Sequence, residues 1–402
     1  MFKDINEIAP DPIFFLDGEF KKDKRDDKIN LVIGAFQNEK GQVSILNAVK
    51  KAEQQLYHEE QSKSYTPMSG FSEFNTHIEA LLFGNTHSAL TNHLIYTNQT
   101  IGGTGGLSLS GQFLKAINSP IKRIHISNPS WVNHKAIYTH LGFDVVNYTY
   151  YNKENNTLNF EQLLDDLYAL STEDAVILHS CCHNPTGIDL NHEQWQKVLH
   201  CAKQKGWLPI FDTAYLGFDK SIEQDAFAIR LFTEQLEQVF VINSLSKNFG
   251  LYSERVGSLS IKYGNIKEKN AIKSQLDFLV RKNYSNPPSH GAKIAYYILH
   301  NNELKTQWLE ELKQMRLQIR NIRELIHQEF KRLKPELNLD FIINQTGMFS
   351  YTGLSEEQVN TLKNNYGIYM TKTGRINVAG LNHHNYQYFA QHFCSVLSMT
   401  SS

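Results

Sequence analysis

A lysine set among hydroxyls, Ser244-Leu245-Ser246-Lys247, follows an apolar run at Val239 to Ile242. A carboxylate and a phenol, Asp212 and Tyr215, follow a second run at Leu208 to Phe211. A glycine-rich loop, Gly102-Gly103-Thr104-Gly105, follows a third at His93 to Tyr96. An amine desolvated in such a place can attack a carbonyl and then carry a proton. A glycine loop that opens a helix offers backbone N–H groups to a phosphate. Taken singly, each feature has a plainer explanation. Lysines mostly sit exposed, an aspartate after a strand more often caps a helix, and Gly-Gly-Thr-Gly lacks the spacing of the dinucleotide and Walker fingerprints. Ligands in open α/β sheets gather beyond the carboxyl ends of the strands, so three such groups after three apolar runs point to one site.

The elements that must position them read as alternating strand and helix. Strand-like runs occur at His93 to Tyr96, Arg123 to Ile126, Val145 to Tyr151, Ala175 to His179, Leu208 to Phe211, Val239 to Ile242 and Gly257 to Ile261. Helical patterns such as Phe160 to Leu170 and His192 to Lys205 lie between them, which predicts crossover units and a mainly parallel sheet flanked by helices. Ser289 to Lys334 reads as one long helix, rich in Leu, Glu, Lys and Gln, without proline and with a single early glycine, Gly291. A smaller α+β pattern closes the chain: strands near Met348 to Tyr351, Gly367 to Met370 and Arg375 to Val378, a helix from Ser355, and a last helix near Asn385 to Leu397.

At 402 residues two lobes are expected, with no repeat or low-complexity linker between them. Forty basic and 41 acidic residues leave a net charge of −1, so no bulk field selects nucleic acid or an anionic membrane. The four cysteines, Cys181, Cys182, Cys201 and Cys394, fit neither a disulfide framework nor a metal site, and a reducing, cytoplasmic compartment is expected. Acidic residues at the start of the chain are unlike a signal peptide, and no apolar run approaches the roughly 20 residues of a membrane span.

Segments around these residues carry a more specific message. The stretch from Ser244 to Gly257 resembles the lysine signature of class I aminotransferases of the aspartate and aromatic type. Five further segments are similar to that family in the same order: Asn128 to His134, Cys181 to Gly187, Phe211 to Tyr215, Arg281 to Pro288, and Gly374 to Gly380. With Asp11-Pro12-Ile13, the resemblance spans almost the whole chain.

The resemblance implies a type I fold of pyridoxal-phosphate enzymes: a large domain (45–314) with a mainly parallel seven-stranded sheet, a small α+β domain (12–44 and 315–402) and an N-terminal arm (1–11). It implies that Lys247 bonds covalently to pyridoxal 5′-phosphate and shuttles the substrate's proton, and that Asp212 pairs with the cofactor's ring nitrogen. Tyr215 and Asn184 would bond the ring hydroxyl, and Trp131 would stack on the ring. His134 and His179 would stand behind Asp212. Gly103, Thr104, Ser244, Ser246 and Arg255 would hold the phosphate, joined by Tyr65 of a second subunit. Arg375, with Gly34 and Asn184, would hold the substrate's α-carboxylate, and Arg281 of the neighbouring subunit a distal carboxylate. The implied assembly is a homodimer with shared active sites. Its substrates would be amino acids and 2-oxo acids, with 2-oxoglutarate as acceptor in ping-pong turnover. No metal is implied.

Donor preference reads both ways. Asn286 and Thr104 resemble the aspartate-selective pattern, whereas Gln37 and Val43 stand where aspartate enzymes commonly carry lysine and threonine, which eases admission of an apolar ring. Broad specificity is expected. Ser253 is a small departure within the lysine signature. Other readings stay open, since fold does not fix function: β-elimination or decarboxylation of a dicarboxylic amino acid, a non-catalytic cofactor-binding regulator, and a nicotinamide dehydrogenase prompted by the glycine loop.

Overall fold

The computed structural model describes Phe2 and residues 5–397. The chain forms two compact units, one of Ser44–Leu317 and one drawn from both ends of the chain, up to Val43 and from Gln318 onward.

The larger unit is built on seven strands: β1 (Ile95–Ile101), β2 (Arg123–Asn128), β3 (Asp144–Thr149), β4 (Asp174–His179), β5 (Leu208–Thr213), β6 (Val239–Ser244) and β7 (Val256–Lys262). Their order across the sheet is β1-β7-β6-β5-β4-β2-β3. Neighbours pair in parallel from β6 to β3, and β7 alone runs antiparallel, pairing with both β1 and β6. Every residue of β4, β5, β6 and β7 is buried, as expected of a sheet covered on both faces by crossover helices. These are the strands expected from the apolar runs with shifted ends: five are extended by a residue or two, the first begins at Ile95 instead of His93 and runs on to Ile101, and the third stops at Thr149 instead of Tyr151.

The helices that matter for the site are α1 (Gly102–Ala116), which starts directly after β1, and α2 (Val132–His140), which follows β2. Helix α3 (His192–Lys205) is closed by local chemistry at both ends: Asn191 and Gln194 form a capping box, and Gly206 takes the left-handed cap. Helix α4 (Lys269–Asn283) ends the stretch that carries Arg281. The core between sheet and α1 includes Leu107, Phe113, Ile124, Ile210 and Ile242, all buried.

The single helix expected over Ser289 to Lys334 is two, His290–His300 and Asn302–Leu333. Asn301 adopts an extended conformation (φ −88°, ψ 118°), and its side-chain oxygen accepts the N–H groups of Glu303 and Leu304. An asparagine that offers the backbone such a cap outweighs the helix-forming composition on either side of it.

The smaller unit begins with helix Pro12–Lys22, capped by Asp11. Ile29–Asn30 pairs in parallel with Ile368–Tyr369, and Phe349–Tyr351 pairs antiparallel with Arg375–Asn377. Helices Glu356–Tyr366 and Tyr386–Leu397 pack beside them, and Phe330, Phe341, Phe389 and Phe393 form an aromatic core. The buried Arg323 guanidinium donates to the carbonyls of Ile342, Gly347 and Phe349, so its charge meets several acceptors at once. Among the described residues no helix is long and apolar enough to cross a membrane.

Candidate active site

Because β7 is antiparallel, it begins where the other strands end. Register places Val256 opposite Ile101 and Gly257 opposite Ser244, so Arg255 arrives at the same edge as the start of α1. The approach is close: a Cβ on Gly257 would lie 2.6 Å from the Asn243 carbonyl oxygen, and one on Gly102 would lie 2.5 Å from an Arg255 guanidinium nitrogen. Gly102 also has φ +64°, a conformation other residues rarely adopt. The Arg255 guanidinium donates to Ser246 Oγ at 3.3 Å and to the Tyr252 carbonyl at 3.0 Å, and Ser244 Oγ lies 3.1 Å from Ser246 Oγ. No side chain caps α1 at Ile101. A guanidinium held against the positive end of a helix is unfavourable by itself. A phosphate dianion would relieve both, and the Ser244 and Ser246 hydroxyls and the N–H groups at the start of α1 are donors that could hold it. This cradle fits the phosphate of the expected cofactor.

Asp212 lies on β5 with His179 of β4 as its cross-strand neighbour. Its Oδ2 accepts from His134 Nε2 at 2.8 Å, and His134 Nδ1 lies 2.9 Å from Ser130 Oγ. A carboxylate can only accept, so Nε2 carries the proton and Nδ1 accepts from the serine hydroxyl. Burial pulls the Asp212 carboxyl upward, but the hydrogen bond from His134, aided by the positive charge of Lys247, outweighs it and holds the group below its ordinary value. An ionised buried carboxylate is what a protonated ring nitrogen requires.

Trp131 precedes α2 and meets the His134 ring edge to face at 5.2 Å. His179 is buried with both ring nitrogens lacking a hydrogen-bond partner among the described residues, and burial, then its neighbour His134, lowers it to about 3. It therefore packs beside Asp212 as a neutral ring, whereas His134 alone makes the hydrogen bond. The nitrogens and oxygen of His134, His179 and Asp212 lie within 4.8 Å of one another, near enough to ligate a metal. Both nitrogens of His134 are already committed, which leaves too few ligands.

Lys247 sits in the turn after β6, with Nζ 5.2 Å from the centre of the buried Tyr215 ring. Asn184 is buried in the loop after β4, and its Oδ1 has no partner among the described residues. These groups collect at the carboxyl edge of the sheet. A cavity of about 990 Å³ lined by Phe113, Trp207, Phe240 and Tyr263 lies at the opposite edge, where β5 and β6 begin, and contains none of them.

Two expected residues stay apart from this cluster within their own chain. Tyr65 is 92% exposed and makes no hydrogen bond among the described residues. Arg281 is exposed near the end of α4, where it donates to Ser285 Oγ, and Asn286 donates to Thr66 Oγ1. In the smaller unit Arg375 is buried, its guanidinium 4.5 Å from the centre of the Phe349 ring and bonded to the Val32 carbonyl. Gly34 packs on the same phenylalanine, since a Cβ there would lie 2.7 Å from Phe349 Cζ. Asn377 holds this segment by donating to the carbonyls of Ile33 and Ala35.

Residue-by-residue reading missed Ser130, and it assigned no role to His183 although that residue lies inside one of the motifs. Ser130 stands four residues before His134, a spacing that could have suggested it. His183 stacks on Tyr150, 33 residues away, and no local pattern announces that contact.

The profile of the Aminotransferase class I and II family matches residues 26–393, and the chain belongs to that family. It is 42% identical over 381 residues to the aspartate aminotransferase of Escherichia coli K12, covering 95% of this chain and 96% of that protein. It is 41% identical over 398 residues to the aromatic-amino-acid aminotransferase of the same organism, covering 99% and 100%. Among solved structures, an aromatic-amino-acid aminotransferase from Burkholderia pseudomallei, covalently bound to pyridoxal phosphate, superposes with a TM-score of 0.96 at 40% identity over 99% of this chain and 100% of that one. A psychrophilic aromatic amino acid aminotransferase from Psychrobacter sp. B6, cocrystallised with aspartic acid, gives 0.97 at 37% identity, covering 99% and 100%. The chain is an aminotransferase.

Proposed function

We propose that this enzyme moves the amino group of aspartate, glutamate or an aromatic amino acid to a 2-oxo acid, 2-oxoglutarate above all, by ping-pong turnover. Its cofactor is pyridoxal 5′-phosphate, which supplies an aldehyde for the donor's amine and a protonated ring that accepts electrons from the donor's Cα. Lys247 is the residue that anchors it. The observation that carries this reading is the buried Asp212 carboxylate, kept ionised by His134, at the same sheet edge as Lys247 and Tyr215.

The chain's own groups then divide the work. Asp212 holds a proton at the ring nitrogen. Tyr215 and Asn184 offer hydrogen bonds to the ring oxygen, and Trp131 gives the ring a flat neighbour. Gly103, Thr104, Ser244, Ser246 and Arg255 hold the phosphate. Lys247 Nζ takes the proton from the donor's Cα and delivers it again. Arg375, steadied by Phe349 beside Gly34, grips the α-carboxylate with a planar fork.

The exposure of Tyr65 and Arg281 supports a homodimer in which each is lent to the other copy's site, Tyr65 to the phosphate and Arg281 to a distal carboxylate. The two units correspond to a cofactor domain and a smaller domain carrying Arg375. A cytoplasmic location is consistent with four free, buried cysteines.

A visible absorption spectrum of the protein loaded with pyridoxal phosphate tests this directly. Aspartate, glutamate, phenylalanine and tyrosine are added separately, without oxo acid. Conversion to the aminated cofactor supports the half-reaction, and the order of rates ranks the donors. A loaded enzyme that no donor converts overturns it and favours a lyase or a regulator.

A further inference from the structure

His183 is 1% exposed, and both of its ring nitrogens are engaged: Nε2 with Ser127 Oγ and Nδ1 with Thr186 Oγ1, each at 2.8 Å. The Tyr148 hydroxyl, on the neighbouring strand β3, donates to the Ile177 carbonyl at 3.0 Å. The Thr186 oxygen also accepts the Ile188 N–H at 3.1 Å, and a neutral imidazole between two hydroxyls donates at one of its nitrogens and accepts at the other. Burial, followed by the neighbouring His179 and His134, keeps the ring well below the usual histidine range.

The ring is also fixed in plane. It stacks on Tyr150 with centroids 3.9 Å apart and planes 11° apart, and meets His179 edge to face at 4.5 Å. The backbone around it is tied as tightly. Asp189 accepts the N–H groups of Cys182 and His183 through its two oxygens, and Gly187 donates to the His183 carbonyl. The residue that follows is Asn184, buried, with a side-chain oxygen that bonds nothing else among the described residues. Three segments, β2 through Ser127, the end of β3 through Tyr150 just beyond it, and the loop from Cys181 to Asp189, therefore meet at one ring that leads into Asn184.

We propose that His183 is a positioning residue: its bridge between Ser127 and Thr186, clamped against Tyr150, fixes the turn that presents Asn184 to the cofactor's ring oxygen and the substrate's α-carboxylate. This rests on the function proposed above. The role is separate from that of His134, which acts on Asp212 from the other side of His179.

The test compares His183→Phe with the unaltered enzyme, both loaded with pyridoxal phosphate. Phenylalanine keeps a ring to stack on Tyr150 and deletes both hydroxyl bonds. Expected are a rise of about fivefold in KM for every donor, the scale of one net hydrogen bond, with a smaller change in kcat. The pH at which the bound cofactor's visible band titrates should rise as well. Ser127→Ala and Thr186→Val, which each remove one bond and leave the ring in place, should move both readouts the same way by less. A His183→Phe enzyme that loses thermal stability while keeping KM and band titration is merely structural there, and the proposal fails. Should that variant not fold, wild-type values in both milder variants overturn it equally. Failure of the underlying function is distinguishable, because it appears in the unaltered enzyme as absence of a visible band or of any response to donors.

Discussion

His134 Nε2 lies 2.8 Å from Asp212 Oδ2, at the centre of a line that starts at the Ser130 hydroxyl and ends at the carboxylate. Burial alone would raise the Asp212 carboxyl, and the hydrogen bond from His134 is the leading influence against it. Replacing His134 by alanine therefore moves Asp212 upward. Its negative charge is then lost at a higher pH as the solution is acidified, and the acid limb of kcat/KM moves toward neutrality. A hydrogen bond to a charged group is worth about 1.5–3 kcal/mol, so activity at neutral pH falls roughly ten- to a hundredfold. An unchanged acid limb would show that Asp212 does not depend on His134.

The two arginines differ in what they should discriminate. Arg375→Lys keeps the charge and loses the planar fork, so KM rises for every donor, by at least about thirtyfold on the 2 kcal/mol scale of a buried charge pair that loses a partner. Arg281→Ala is expected to weaken aspartate and glutamate while sparing phenylalanine and tyrosine. Steady-state kinetics with all four donors separates the roles, and equal loss across donors in Arg281→Ala counts against its grip on a distal carboxylate.

At Gly102 a side chain meets two obstacles at once, φ +64° and a guanidinium nitrogen 2.5 Å from the new Cβ. Gly102→Ala should displace Arg255 from the phosphate cradle. Strain of about 1–3 kcal/mol at such a position predicts an increase of roughly five- to more than a hundredfold in the dissociation constant for pyridoxal phosphate, measured by dialysis and absorbance. Retained cofactor affinity would place the phosphate elsewhere.

His179 is buried and lowered to about 3 from an ordinary 6.5, so the unfolded chain takes up a proton below pH 6.5 that the folded chain refuses. Stability is highest above that value and declines as the pH falls toward 3. One such group contributes about 1.4 kcal/mol per pH unit across that window. His179→Phe should flatten the acid slope of unfolding free energy by about that amount, read from denaturant titrations at several pH values. A slope identical to that of the unaltered protein would mean the imidazole is protonated in the folded state.

Much of this protein was legible in its sequence because local chemistry marks it. Apolar runs located all seven strands of the large sheet, since strands covered on both faces are largely apolar, whereas the buried polar part of β1, Thr97 to Thr100, lay beyond the run that marked it. Gly102 announced a turn that needs backbone room, and Ser355 announced the start of its helix. The break at Asn301 was not recognised, because a side-chain cap competes there with a favourable helix composition and only the folded backbone settles the contest. The antiparallel course of β7 was also hidden, for an apolar run carries no direction, yet that course is what sets Arg255 against Gly102. The contacts around Asp212 and His183 lay further out of reach. His134 meets Asp212 across 78 residues, and Tyr150 meets His183 across 33. The amino-acid order names the reactive groups, whereas their protonation states are set by burial and by partners that only the closed sheet brings within hydrogen-bond distance.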